Sequence, residues 1–119
     1  MSAETELYAA LSGRAGLTAL VSTRIYPDAI PEGEPLPAVV YIRSSTVPTY
    51  TIGGSLVCED AHFMITAWAE SRTNAEAVAD QVAAALISSE NPALDRSGGF
   101  DAETGLFAAS IETDWFWTA

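Results

Sequence analysis

The sequence predicts an α+β domain, an antiparallel sheet of about four strands packed by an N-terminal helix and a central amphipathic helix. Three observations carry this. Apolar residues recur at alternate positions within Leu56 to Ala69, the period of a half-buried strand. Ile52-Gly53-Gly54-Ser55 just before it is a hairpin signal, joining it to a β-branched and aromatic stretch that begins at Ala38. Immediately afterwards Ala75, Val78, Ala79, Val82 and Leu86 recur at helical spacing. The chain has 119 residues, which fits one domain over 1–119 with length enough for its own core.

Taken in order, Ser2 is a candidate helix cap, with Glu4 and Glu6 suited to the positive end of the helix dipole. Leu7, Tyr8 and Leu11 continue the helix and Gly13 stops it; Leu17, Leu20 and Val21 suggest a second short helical turn. Ile25-Tyr26-Pro27 is extended, because a residue before proline avoids the helical well. Residues 27–37, with Pro27, Pro31, Pro35, Pro37 and Gly33, form a loop. A strand follows from Ala38 to Ser45, with Pro48 breaking or bulging it in the manner of an edge. The second strand carries Ala61, Phe63, Ile65 and Ala67 on one face and His62, Met64, Thr66 and Trp68 on the other. Ser71 or Thr73 caps the central helix and Asn91-Pro92 ends it. The last third reads as a loop around Gly98 and Gly99, a turn over 101–105, and a strand from Leu106 to about Thr118. That strand places Phe107, Ala109, Ile111, Thr113, Trp115 and Trp117 on one face.

Composition excludes much chemistry. Sixteen acidic residues oppose five basic ones, giving −11, and every basic residue is an arginine. Without lysine there is no Walker A lysine, Schiff-base lysine or Ser-Lys dyad. A surface this acidic repels phosphate backbones, so ordinary nucleic-acid binding is not expected. One cysteine, Cys58, excludes an internal disulfide framework and a cysteine-cluster zinc site. The apolar runs are too short to span a membrane and the start is acidic, so a soluble domain made in the cytoplasm without an export signal is expected.

The remaining candidates for chemistry each have a simpler reading. His62, with Asp60 on the same strand face, could form a metal or acid–base pair, but a polar residue on a half-exposed strand explains it. Cys58 has no cation beside it in sequence to activate the thiol. Asp95, Asp101 and Glu103 near Gly98 and Gly99 do not follow the alternating ligand pattern of an EF-hand, and the glycines are expected to serve turns of positive φ. No catalytic residue, metal or cofactor is assigned, and the protein is expected not to be an enzyme.

What does stand out is apolar surface on both faces of the sheet: Val40 and Ile42 against Val39 and Tyr41, Phe63 and Ile65 against Met64 and Trp68, Trp115 and Trp117 against Phe116. A two-layer domain leaves one face wet and polar. Either the N-terminal helix covers the second face, or another subunit or partner does.

Several segments together resemble the phage tail completion, or tail terminator, proteins. They are Leu17-Thr18-Ala19-Leu20-Val21, Arg24-Ile25-Tyr26-Pro27, Pro35-Leu36-Pro37-Ala38-Val39-Val40-Tyr41, Ile65-Thr66-Ala67-Trp68-Ala69 with the following helix Asn74–Asp80, and Glu103-Thr104-Gly105-Leu106-Phe107. The resemblance spans about residues 7–117. The chain departs from the family pattern at Ala38, where an aromatic is common, and around Asp114, where a basic residue is common.

The resemblance implies a structural virion protein at the tail–neck junction. It would cap the head-proximal end of the tail tube, end elongation and offer the docking surface for the head–neck connector. Its partners would be further copies in a homohexameric ring, the tail tube protein, and the connector or stopper protein; DNA would pass the lumen without specific binding, and no membrane is involved. A head-side neck protein, stopper or adaptor, and a small acidic inhibitor or DNA mimic are the alternatives. Subunit contacts are expected at Tyr41, Arg43, Met64, Trp68 and Phe116, with Arg43 pairing an acid on the neighbour. Tube or connector contacts are expected at the loop bearing Asp28, Glu32 and Glu34 and at the hairpin bearing Tyr50, Ile52, Gly53, Gly54 and Ser55.

Overall fold

The computed structural model describes residues 3–118. The proposed cap Ser2 lies outside the described residues. Helix α1 (Ala3–Ser12) buries Ala3, Leu7 and Leu11, a spacing of four that keeps one stripe inward, and Gly13 follows its end. Helix α2 (Ala15–Val21) buries Leu17 and Val21. Helix α3 (Arg72–Ser88) is capped by the Ser71 hydroxyl, which accepts the Asn74 N–H at 3.2 Å, and its buried stripe contains all five residues read from the sequence.

Five strands form one sheet in the order β1-β2-β3-β5-β4: β1 (Ile25–Pro27), β2 (Ala38–Tyr50), β3 (Leu56–Ala69), β4 (Asp95–Asp101) and β5 (Leu106–Thr118). Every pairing is antiparallel except β1 with β2, which the 28–37 loop returns in parallel. The expected architecture holds, with three corrections. The extended segment at Ile25 is itself a strand, because Val39 and its neighbours offer it an edge. The segment around Gly98 and Gly99 is not a loop but strand β4, paired from Asp95↔Glu112 to Asp101↔Leu106. Neither glycine has positive φ; the turn after β4 uses Gly105 for that, at φ +72°. The first long strand continues past Ser45 to Tyr50. Its register shift lies between Arg43 and Ser45, and Pro48 sits within the strand, where β2 has no outer neighbour among the described residues.

All three helices cover the same sheet face. Their buried residues join Val39, Tyr41, Phe63, Ile65, Ala67, Ile111 and Trp115 in one core. Thr113 is the buried polar residue of that core; its hydroxyl lies 2.9 Å from the Asn91 carbonyl and 3.2 Å from that of Pro92, so the chain leaving α3 is tied to β5. The N-terminal helix therefore does not cover the second face, and none of the described helices does. No helix among the described residues is long and apolar enough to cross a membrane.

Candidate assembly surface

The bare face is built by alternation. Each strand that sends Val39, Phe63 or Ile111 inward must send Val40, Met64 or Ser110 outward. Cross-strand pairs on it are Ala38↔Trp68↔Ala108, Val40↔Thr66↔Ser110 and Ile42↔Met64↔Glu112. Thr66 and Ser110 share a hydrogen bond of 3.2 Å. Ile42 is 40% exposed and Phe116 58% exposed, both apolar side chains on a face that carries no layer.

At one end this face dips into a trough of about 370 Å³. Val40, Ile42, Thr66 and Trp68 line it, with Asp28 on one rim and Asp101 on the other. Asp28 is placed by its backbone N–H, which donates to the Tyr41 carbonyl at 3.0 Å, and Asp101 by its carboxylate, which accepts the Glu103 N–H at 3.0 Å. Two loops meet at this end. The 28–37 loop carries Asp28, Glu32 and Glu34, the 101–105 turn carries Asp101 and Glu103, and neither contains a basic residue. Loss of hydration, then the Glu34 carboxylate, raise the Tyr26 phenol above its ordinary value of 10.0.

The opposite end is of another kind. The β2–β3 hairpin turns through Thr51 to Ser55, closed by the Thr51 N–H to the Ser55 carbonyl at 2.8 Å, with Gly54 at φ +89°. Residues 44–58 hold no charged side chain, the longest such stretch in the chain. Tyr50 and Ile52 stand exposed there, Ile52 fully. The molecule measures 51 × 29 × 25 Å, and the strands run its length, so tip and trough lie about 40 Å apart along β3.

The predicted contact residues separate accordingly. Met64, Trp68 and Phe116 share the bare face. Tyr41 and Arg43 do not: both lie on the helix face, opposite in register to Ile65 and Phe63. Tyr41 is buried, and burial, then the Glu4 carboxylate, Tyr8 and Asp28, hold its phenol above 10.0. Arg43 has acids within its own chain: its Nη2 donates to Glu59 at 2.8 Å and its Nη1 lies 3.9 Å from Glu4. The β2–β3 register decides the face: it sets Ile42, not Tyr41 or Arg43, opposite Met64, and a strand's own alternation does not say which of its faces meets which face of its partner. Asp28, Glu32 and Glu34 mark the acidic end; Tyr50, Ile52, Gly53, Gly54 and Ser55 mark the uncharged one. Sequence reading missed Ile42 and Asp101 as parts of the trough. The signal for Ile42 was its alternation with Val40; Asp101 needed the β4–β5 pairing.

His62 pairs across to β5 instead of with Asp60: its Nδ1 is 2.7 Å from Asp114 Oδ1, and its Nε2 is 4.0 Å from Glu112. Asp95 and Asp101 stand at opposite ends of β4, so they form no calcium cluster. Among the described residues no group of three or more His, Cys, Asp or Glu is arranged to hold a metal ion.

The helix-free face is mixed, apolar at Val40, Ile42, Met64, Trp68 and Phe116 and polar at His62, Glu112 and Asp114. A family model described as Tail completion protein gp17 matches residues 5–117. The chain belongs to that tail completion family. It is a structural protein of the phage tail and a component of the virion. A chain in the structure described as the virion of a native gene transfer agent (GTA) particle has the same fold, with a TM-score of 0.73 at 21% identity. The similarity covers 95% of this chain and 92% of that one. No curated protein matches the chain by sequence.

Proposed function

We propose that this tail completion protein is a non-enzymatic ring component that caps the head-proximal end of the tail tube, ends its elongation and presents the docking surface for the head–neck connector. The observation that carries the reading is the family match over residues 5–117, on a fold whose second sheet face is left bare. The exposed apolar residues on that face, Ile42 and Phe116, favour association, and a head-to-tail interface that closes on itself makes a ring. A homohexamer is the ring size that the resemblance to tail terminators supports. The acidic end, with Asp28, Glu32 and Glu34, suits contact with a basic patch on the connector or tube protein. Acids repeated around a ring also repel the phosphate backbone, so DNA passes without sticking.

The test is electron microscopy of particles made without this gene. Filled heads beside unattached tails, some overlong, are expected; normal joined particles would overturn the reading. Heads that leak their DNA beside tails of normal length would favour a head-side stopper. For the lumen, lysine at Glu32 and Glu34 is expected to slow genome ejection, and unchanged ejection would remove the electrostatic part.

A further inference from the structure

We propose that the uncharged tip of the β2–β3 hairpin seats in the trough of a second copy, Ile52 entering between the Asp28 and Asp101 rims. The inference rests on the ring reading above and names the surfaces by which copies would meet.

Electrostatics restrict how copies can touch. Each carries −11, so two bodies repel unless one presents a surface without acids. The segment 44–58 is that surface, and it bears the exposed Tyr50 and Ile52. The trough supplies the complement: an apolar floor, a volume of about 370 Å³ and carboxylates on both rims. Those rims turn away an acidic segment and accept hydrogen bonds from hydroxyls, which the tip offers at Thr49, Thr51 and Ser55.

Geometry makes the contact intermolecular. Tip and trough lie at opposite ends of the same strands, so a chain cannot fill its own trough. A contact between opposite ends of identical chains is heterologous, the type that propagates and closes into rings. Gly53 adds an independent sign. Its φ is not positive, and a Cβ there would meet nothing nearer than the Thr51 hydroxyl at 3.9 Å. Nothing inside the chain requires glycine at 53, whereas a tip that must lie close against another surface does.

The experiment joins the two surfaces covalently within assembled particles. In a Cys58→Ser background, Ile52→Cys and Thr104→Cys together are treated with a short bis-maleimide, since Thr104 also lines the trough. A ladder of multiples of this chain is expected from the double variant and not from either single variant. Joined particles that contain the double variant but give no ladder would overturn the inference. Beside it, Ile52→Asp is expected to cut the number of copies per tail by about tenfold or more, because an unpaired carboxylate would enter an apolar site. Ile87→Asp, a change at an exposed residue of α3, is the control expected to leave that number unchanged. Ile52→Asp protein that still forms multimers but no longer attaches to tubes would overturn the inference and give the tip to the tube protein. A single copy per tail for the unmodified chain would overturn the ring reading itself, whatever Ile52 does.

Discussion

The indole N–H of Trp115 donates to the Glu6 carboxylate at 3.3 Å, joining the first helix to the last strand across nearly the whole chain. Trp115 is 4% exposed, so the bond forms at the margin of the core and fixes how α1 lies on β5. Trp115→Phe keeps most of the apolar contact but removes the donor. It is expected to cost about 1 kcal/mol, read as a lower urea midpoint with an unchanged slope. A cost no greater in wild type than in a Glu6→Ala background, which removes the acceptor, would show that the two side chains act separately.

Thr113 is a second link between distant elements. Thr113→Val has nearly the same shape, yet it leaves the Asn91 and Pro92 carbonyls without their hydroxyl partner. A loss of about 1–2 kcal/mol is expected from denaturant unfolding. Exchange of amide protons at the end of α3 should quicken as well, and unchanged exchange there would count against the link.

Arg43 and Phe116 are expected to fail in different ways. Arg43→Ala strands Glu59 and Glu4, and lowers the stability of the isolated chain by about 1 kcal/mol, discounted for partial exposure. Phe116→Ser removes an exposed ring from the bare face, and should leave isolated stability within about 0.5 kcal/mol while reducing assembly. The two measurements are thermal unfolding of the free chain and the yield of joined particles. The reverse pattern would mean that the faces have been assigned wrongly.

Stability should fall in strong alkali. The Tyr41 phenol is raised above 10.0 in the folded chain by burial and then by Glu4, Tyr8 and Asp28, so folding favours its neutral form. Its contribution is complete below the unfolded value near pH 10 and is lost as pH rises through the folded one. Tyr41→Phe, measured by unfolding across pH 9–12, is expected to flatten that decline. Tyr26, raised in the same direction, leaves part of it. An identical alkaline slope in the variant would remove Tyr41 as the linked group.

The acidic end offers the last test. Glu32→Lys with Glu34→Lys changes two exposed loop residues far from the helix-face core, so the fold should persist. The yield of joined particles is expected to fall, with filled heads and finished tails side by side in micrographs, and ejection is read on the particles that do join. Normal joining would place the docking surface elsewhere on the molecule.

Sequence periodicity alone determined the elements whose burial alternates or turns regularly. The α3 stripe from Ala75 to Leu86, the two faces of β3 and the inward face of β5 are local patterns, because side-chain direction repeats every few residues whatever the rest of the chain does. The absence of lysine and the single cysteine were equally plain. Only the tertiary structure decided the rest. Gly98 and Gly99 became strand because β5 supplied an unpaired edge, a contact that no local propensity records. Tyr41 and Arg43 parted from Met64 and Trp68 because the β2–β3 register sets them opposite Ile65 and Phe63, on the face the helices cover. The trough exists only where Asp28 and Asp101, seventy-three residues apart in the chain, are carried to the same end of the sheet. Pairing across strands sets such neighbours, and the energy that selects it comes from burying one whole face at once.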